Sequence, residues 1–191
     1  MKRHEAGFTL IELIVTMAIL AVLAFVADPR FFSSAIVRPY YAVGRIRSDI
    51  RYAQLLAMEQ QLPNLPPPAP PQTCVTFDAA ADTYEIKLES GPGTGVWNTT
   101  INPVDHSTPF KINFQTSREY TGTDISTVSL GSTAVSVLFD STGSPYRSTG
   151  TGANLCKGTI AALTEPAFVD INAKYRLNFR AQTGEVDVTT L

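Results

Sequence analysis

The chain has 191 residues, of which 44% are apolar and 17% are charged, and its formal net charge is −2. This length suffices for one domain with a substantial core, while the charged fraction lies below the roughly 25% typical of soluble domains. The slightly acidic balance argues against a general nucleic-acid-binding protein. Two cysteines cannot build a disulfide-dense scaffold or a four-cysteine zinc site, and two histidines leave little for histidine-based catalysis.

The apolar residues are concentrated near the N-terminus, in residues 8–27. Of these 20 residues, 17 are apolar. A helix of that length spans about 30 Å, the thickness of the hydrocarbon core of a bilayer, so the segment is predicted to cross a membrane once. Lys2 and Arg3 precede it, which favours a cytoplasmic N-terminus and places the rest of the chain on the far side of the membrane.

Glu12 lies inside this apolar run and decides between the explanations of it. A cleaved secretory signal peptide, with small residues near Val22–Ala24, or a plain signal anchor would each explain the hydrophobicity. A charge at the centre of a spanning helix costs about 2.5–3.5 kcal/mol, and less near its end. Neither a signal peptide nor a signal anchor gives the Glu12 carboxylate a role. In a medium of low dielectric constant this carboxylate needs a partner.

The segment Gly7-Phe8-Thr9-Leu10-Ile11-Glu12 follows a short basic leader, precedes an apolar helix, and resembles the class III signal of type IV pilins and type II secretion pseudopilins. The resemblance implies that a prepilin peptidase cuts between Gly7 and Phe8, removes the leader 1–7 and methylates the new amine of Phe8. It also implies that Glu12 pairs with the N-terminal amine of a neighbouring subunit. The implied partners are prepilin peptidase, other pilins or pseudopilins in a filament, an inner-membrane assembly platform and membrane lipid.

The helical pattern continues over residues 28–61 with two interruptions. Pro29 is predicted to kink or loosen the helix, as a proline at about this distance from the cleavage site does in many pilins, and Pro39 is predicted to be a second break. From Tyr40 to Gln61 apolar residues recur every three or four positions, which predicts an amphipathic helix. Its apolar stripe consists of Val43, Ile46, Ile50, Ala53 and Ala57, with Arg45, Arg47, Asp49 and Arg51 mostly on other faces. If nearly continuous, residues 8–60 would make a helix of about 80 Å.

A proline-rich segment over residues 62–72 ends the helical pattern. Six of the nine residues from Pro63 to Pro71 are proline, which favours an extended polyproline II conformation. We interpret the segment as a stiff connector to the following domain, with a ligand for a proline-binding partner as the alternative.

From residue 73 to residue 191 the period changes to the alternation typical of β-strands. Turns are predicted near 78–82, at Thr142-Gly143 and at Gln182–Gly184. The predicted strands are Val75–Phe77, Tyr84–Leu88, Phe110–Phe114, Thr127–Leu130, Val135–Phe139, Ala167–Ile171, Tyr175–Phe179 and Val186–Thr189. The sequence therefore predicts an α+β fold, in which one long N-terminal helix, membrane-spanning in its first half, packs on an antiparallel β-sheet.

Three further segments resemble elements of one subgroup of the pilin-like family. Val135–Gly143 is similar to the strand and turn of H-type minor pseudopilins and related minor pilins, and Tyr175–Val188 is similar to their closing hairpin. The helix around Asp49–Met58 resembles that subgroup as well. The resemblance implies a pilin-like fold and a minor component of the filament.

Cys74 and Cys156 both follow the apolar segment, on the oxidising side of the membrane in this topology. An even pair without a histidine cluster favours a disulfide over a metal site, and two free buried thiols are the alternative. Closing a loop of about 80 residues would stabilise the fold by about 4–5 kcal/mol on the chain-entropy model.

No motif in the chain predicts a catalytic residue, a cofactor or a metal site. Gly91–Gly95 lacks the Gly-Lys-Ser/Thr ending of a P-loop and is interpreted as a surface loop. Asp140–Gly143 is interpreted as a turn rather than as part of an aspartic-protease site. His106 has no cysteine or histidine neighbour, and a single histidine beyond the leader does not support a Ser-His-Asp arrangement.

The charge distribution opposes nucleic-acid binding by the C-terminal part. Beyond residue 60 the chain has 8 Lys/Arg and 12 Asp/Glu, a net charge of −4, which repels phosphate. The remaining candidate is a local basic stripe of Lys174, Arg176 and Arg180, which strand alternation would place on one face.

The sequence and the resemblance together predict a minor pilin or pseudopilin that is not an enzyme. We expect it in the bacterial inner membrane, with its C-terminal domain in the periplasm, from where it is extracted into a type II secretion pseudopilus or a type IV pilus. Two alternatives remain at this point. One is a DNA-uptake or adhesive minor pilin, and the other is a periplasmic enzyme or binding domain held by a signal anchor.

Overall fold

The N-terminal apolar run forms helix α1, Leu10–Val26. A computed structural model of the chain describes residues 9–26, 34–60, 71–91, 93–131 and 135–191. Contacts divide the chain into two compact units, 1–36 and 37–191. No helix within the described ranges is both long and apolar enough to cross a membrane. The span predicted over residues 8–27 is not confirmed.

Several sequence predictions fall on parts of the chain that the structure does not describe. The proposed cleavage site between Gly7 and Phe8 and the predicted kink at Pro29 lie outside the described residues. The same holds for residues 61–70, which include most of the proline-rich connector. These predictions, and the near-continuity of the helix over 8–60, are not tested.

Helix α2, Ser34–Glu59, contains Pro39, so the predicted helix break at this proline is wrong. Proline lacks the N–H that would bond to the carbonyl four residues earlier. Pro39 lies in the second turn of α2 and is buried, so packing of its ring offsets the missing bond and the clash of the ring with that carbonyl. The helix therefore continues through the proline.

The described residues beyond α2 contain eleven strands, all paired antiparallel. Their bounds are β1 Thr73–Asp78, β2 Thr83–Glu89, β3 Trp97–Thr99, β4 Lys111–Asn113, β5 Ile125–Ser129, β6 Ser136–Phe139, β7 Pro145–Ser148, β8 Ile160–Ala162, β9 Phe168–Ile171, β10 Tyr175–Phe179 and β11 Val186–Thr190. A single 3-10 turn, Gly152–Asn154, lies between β7 and β8. All eight predicted strands are present within a few residues of their predicted bounds.

The strands form two sheets, whereas the sequence predicts one. The first has seven strands in the order β3-β2-β1-β6-β7-β8, with β4 also paired to β2. The second has four strands in the order β11-β10-β9-β5. The α+β class and the antiparallel pairing are confirmed, and the difference lies in how the strands are divided between sheets.

The main core lies between α2 and the two sheets. Ile46, Ile50 and Ala53 of α2 are buried in one cluster with Val75 and Phe77 of β1. The cluster also contains the inward-facing residues of the four-stranded sheet, including Val169, Leu177 and Val186. The amphipathic stripe predicted for the helix is therefore the surface that packs on the sheets.

A second, smaller cluster consists of Cys74, Leu138 and Cys156, against which Trp97 and Tyr146 pack. Successive side chains of a strand point to opposite faces, so Cys74 of β1 faces away from the side of the sheet to which Val75 contributes. Residues Thr73 to Phe77 are all buried, because both faces of this central strand are covered.

Candidate functional site

Glu12 lies in the first turn of α1, three residues after Thr9, the residue that precedes the helix. Its backbone N–H donates to the carbonyl oxygen of Thr9 at 3.1 Å and contacts the Thr9 hydroxyl at 3.4 Å. Thr-x-x-Glu is the spacing of a capping box, and an acidic group is favourable near the positive end of the helix dipole. The side chain of Glu12 is exposed and has no hydrogen-bond or ion-pair partner within the described residues.

From Leu10 to Leu23 the surface of α1 is apolar except at Glu12 and Thr16. Side chains from Leu10 to Leu23 are exposed without interruption. The large apolar ones are Leu10, Ile11, Leu13, Ile14, Val15, Met17, Ile19, Leu20, Val22 and Leu23. A helix that is hydrophobic all round is normally buried, and burial of each such side chain is worth about 1.5–3 kcal/mol. This surface therefore requires an apolar environment.

The α2 face towards the sheets carries a buried polar network that the sequence did not predict. Asp49 is 3% exposed and accepts hydrogen bonds from Tyr84 Oη at 2.6 Å and from Arg45 Nε at 2.7 Å. The guanidinium of Arg45 also donates to Oδ1 of Asn102 at 2.9 Å. Burial raises the pKa of Asp49, and the hydrogen bonds from Tyr84 and Arg45 oppose that rise. Burial likewise raises the pKa of Tyr84 well above its ordinary value.

A second polar contact joins α2 to one turn from each sheet. Gln54 Nε2 donates to the carbonyl oxygens of Gly143 and Thr183, each at 2.7 Å. Gly143 lies in the predicted turn between β6 and β7, and Thr183 lies in the predicted turn between β10 and β11. A glutamine at this position carries no sequence signal for such a role, because its partners lie 89 and 129 residues away.

The two cysteines are joined in a disulfide. The S–S distance between Cys74 and Cys156 is 2.08 Å and their Cα atoms are 6.0 Å apart. Both side chains are buried in the smaller cluster, and no free cysteine occurs in the described residues. The bond connects the central strand β1 to the loop between β7 and β8.

The predicted basic stripe is divided and largely neutralised. Lys174 lies in the turn before β10 rather than in the strand. Arg176 forms a two-point ion pair with Asp170, with N···O distances of 2.7 and 2.9 Å, and its guanidinium lies 3.7 Å from the centre of the Phe168 ring. Arg180 pairs with Asp187 at 2.8 Å. These pairings leave little unpaired positive charge to attract phosphate.

The segments Gly91–Gly95 and Asp140–Gly143, which resemble a P-loop and an aspartic-protease motif only superficially, form hydrogen bonds within the chain. Gly93 N–H and Gly95 N–H donate to the carboxylate of Glu89 at 3.0 and 2.7 Å, so the glycine-rich loop encloses a side chain of its own chain. Asp140 Oδ1 accepts from the backbone N–H groups of Thr142 and Ser144, as expected for a turn.

His106 is exposed in a loop. Among the described residues, no group of three or more His, Cys, Asp or Glu side chains is placed to hold a metal ion.

Comparison with known proteins gives one match. Residues 2–27 match the family model of the prokaryotic N-terminal methylation motif, which covers Gly7, Phe8 and Glu12. The motif indicates a type IV pilin-like substrate of prepilin peptidase and supports the pilin and pseudopilin superfamily. No curated protein and no solved structure matches the chain. The match does not extend into α2 or the sheets.

Proposed function

We propose that this chain is a minor pilin or pseudopilin, a filament subunit with a structural rather than an enzymatic role. The observation that carries the proposal is the methylation motif over residues 2–27. Its residues have the types and spacing that processing and assembly require. The leader ends at Gly7, the mature chain begins at Phe8, and the carboxylate of Glu12 follows within the first turn of α1.

The free carboxylate of Glu12 supports an intermolecular role. Within the described residues it has no partner, although it lies on a helix whose other exposed side chains from Leu10 to Leu23 are apolar except for Thr16. In a membrane or a filament core an unpaired carboxylate is costly, because no water is present to solvate it. The N-terminal amine of a neighbouring processed subunit would supply the opposite charge, and this pairing would set the register between subunits.

The apolar surface of α1 supports a membrane location before assembly. We propose that residues 8–27 span the bacterial inner membrane, with the leader in the cytoplasm and residues 28–191 on the periplasmic side. Lys2 and Arg3 favour that orientation. The disulfide agrees with an oxidising compartment for the C-terminal domain.

We assign the β-rich unit the role of a minor filament subunit, because its segments resemble those of H-type minor pseudopilins and related minor pilins. In a type II secretion system the filament would act on exported proteins, and in a type IV pilus the subunit would prime assembly. Deleting the chromosomal copy distinguishes these two settings. Loss of enzymes from the culture medium indicates the first, and loss of surface pili indicates the second.

The proposal is tested by processing and incorporation of three variants of the full chain in cells that contain prepilin peptidase. Gly7→Ala should remain at the precursor mass, because a side chain obstructs access of the peptidase to the backbone. Glu12→Gln should be processed but should be depleted from the sheared filament fraction. Glu59→Gln removes a carboxylate from the end of α2 and is the matched control, which should be processed and incorporated normally. Recovery of Glu12→Gln in filaments at the wild-type level would contradict the proposed pairing.

A further inference from the structure

A cavity of about 410 Å³ opens on the side of the seven-stranded sheet that carries the disulfide. It lies between the β2–β3 loop and the loop that contains Cys156. The lining residues are Pro71, Glu89, Gly93, Thr94, Gly95, Trp97, Cys156, Lys157 and Ile160. Its size is within the range of about 300–1,000 Å³ that is usual for small-ligand sites.

The position of Glu89 in this cavity is fixed by the glycine-rich loop. Glu89 is 5% exposed, and its two carboxylate oxygens accept hydrogen bonds from the backbone N–H groups of Gly93 and Gly95. A carboxylate has about four lone-pair directions, so two acceptor positions remain after these bonds. The loop therefore holds a buried acceptor in a defined orientation beside the cavity.

Two donors in the same lining are free. Within the described residues, neither the indole N–H of Trp97 nor the ammonium group of Lys157 has a hydrogen-bond or ion-pair partner. The Trp97 side chain is half-buried against the disulfide cluster, which holds its ring in place. The cavity thus combines an aromatic surface, two unused donors and an oriented carboxylate.

We propose that this cavity binds one or two rings of a neutral saccharide. The C–H face of a sugar ring packs on the electron-rich face of an indole, while its hydroxyl groups both donate and accept hydrogen bonds. Hydroxyls can accept from Lys157 and from the Trp97 indole and can donate to Glu89. The inference holds whether or not the chain assembles into a filament.

The charges of the lining favour a neutral polyol over other ligands. Lys157 and Glu89 offset one another, so an anion gains attraction from one and repulsion from the other. An apolar peptide side chain would leave the indole N–H without a partner, at a cost of about 1–3 kcal/mol, and would leave the two remaining acceptor positions of the carboxylate unused. A hydroxylated ligand satisfies both groups at once.

A second hollow, of about 390 Å³, lacks this combination. Two of its charged residues, Arg180 and Asp187, pair with each other at 2.8 Å. A third, Glu165, accepts the backbone N–H of Ala181 at 3.2 Å. Its polar groups are therefore already engaged within the chain.

Trp97 is the single tryptophan of the chain, so tryptophan fluorescence, excited at a wavelength that the tyrosines do not absorb, reports on this cavity. The full-length protein in dodecylphosphocholine, whose headgroup is not a sugar, is titrated with cellohexaose, maltohexaose and the hexamer of N-acetylglucosamine. At least one of these neutral probes should give a saturable change below about 10 mM. Hexagalacturonate, the anionic probe, should bind more weakly.

Two matched variants locate the site. Lys157→Met removes one donor but keeps the fluorescent reporter, and it should weaken binding about tenfold, the loss expected for one charge-assisted hydrogen bond. Lys111→Met makes the same change at an exposed position of β4 outside the cavity lining and should bind as the wild type does. The proposal is overturned if no neutral probe saturates, if hexagalacturonate binds more tightly, or if the two variants behave alike.

Discussion

Tyr84 Oη donates a 2.6 Å hydrogen bond to Oδ2 of Asp49 and so joins strand β2 to helix α2 inside the main core. The same carboxylate oxygen accepts Arg45 Nε at 2.7 Å. Because Asp49 and Tyr84 are buried and Arg45 is half-buried, a rotation of α2 about its axis would leave polar groups unsatisfied. The network therefore fixes which face of the helix packs on the sheets.

Replacing Asp49 by alanine should lower the free energy of unfolding by about 3–5 kcal/mol, because it leaves the half-buried guanidinium of Arg45 and the buried hydroxyl of Tyr84 without their shared acceptor. Urea unfolding of the full chain in detergent, followed by far-ultraviolet circular dichroism, measures the loss. Ser48→Ala, at the neighbouring exposed position of α2, is the control and should lie within about 0.5 kcal/mol of the wild type. Equal effects of the two substitutions would exclude the proposed role of the network.

The network should also produce a dependence of stability on pH. Burial raises the pKa of Asp49 in the folded state above its ordinary value of 3.8. The stability contributed by this raised pKa is complete below pH 3.8 and is lost as pH rises through the folded-state value. The unfolding free energy of the wild type, measured relative to Asp49→Asn, should therefore fall with rising pH in this window. A difference that is constant or rises with pH would contradict the assignment.

Removing the disulfide by the double substitution Cys74→Ala and Cys156→Ala should lower the free energy of unfolding by about 4–5 kcal/mol on the chain-entropy model, because the bond closes a long loop. Reduction of the wild type should produce a similar loss in the same urea titration. If the double variant loses less than about 1 kcal/mol, the bond does not constrain the unfolded chain in this way.

Alanine substitutions at Gly184 and Gly152 separate the cost of a steric clash from the cost of a positive φ angle. Both have positive φ angles, of 67° and 59°. A Cβ at Gly184 would lie 2.8 Å from Cε1 of Phe139, whereas a Cβ at Gly152 would meet nothing within 4 Å. Gly152→Ala should therefore cost about 1–2 kcal/mol from the left-handed conformation alone. Gly184→Ala should cost about 1–3 kcal/mol more, as measured by thermal unfolding, and equal losses would argue against the contact.

Much of the β-rich unit was predictable because its signals are local. Alternation identified β2 and β10, and the turn at Gln182–Gly184 identified the hairpin that β10 forms with β11. The strands β3, β7 and β8 were missed because their short sequences, Trp-Asn-Thr, Pro-Tyr-Arg-Ser and Ile-Ala-Ala, show no alternation of large apolar and polar residues. In addition, β7 begins with a proline and two of the three residues of β8 are alanine, and both residue types are uncommon in strands.

The division into two sheets and the polar contacts of α2 were not predictable from local pattern. The pairing of β1 with β6 joins residues more than fifty positions apart, and no turn signal specifies it. An aspartate such as Asp49 normally faces solvent. Its burial here depends on a hydrogen bond from Tyr84, which lies 35 residues later in the chain. The N-terminal segment was predictable, because its signal is local, and the family match covers it. The structure adds nothing on its cleavage site, which lies outside the described residues.

The central claim is that the chain is processed as a pilin-like subunit. The most direct measurement is mass spectrometry of the N-terminal peptide of the protein purified from cells that contain prepilin peptidase. We predict a chain that begins at Phe8 and carries one methyl group on its N-terminal amine. An uncut chain beginning at Met1, or a mature chain beginning after Ala24, would contradict the account.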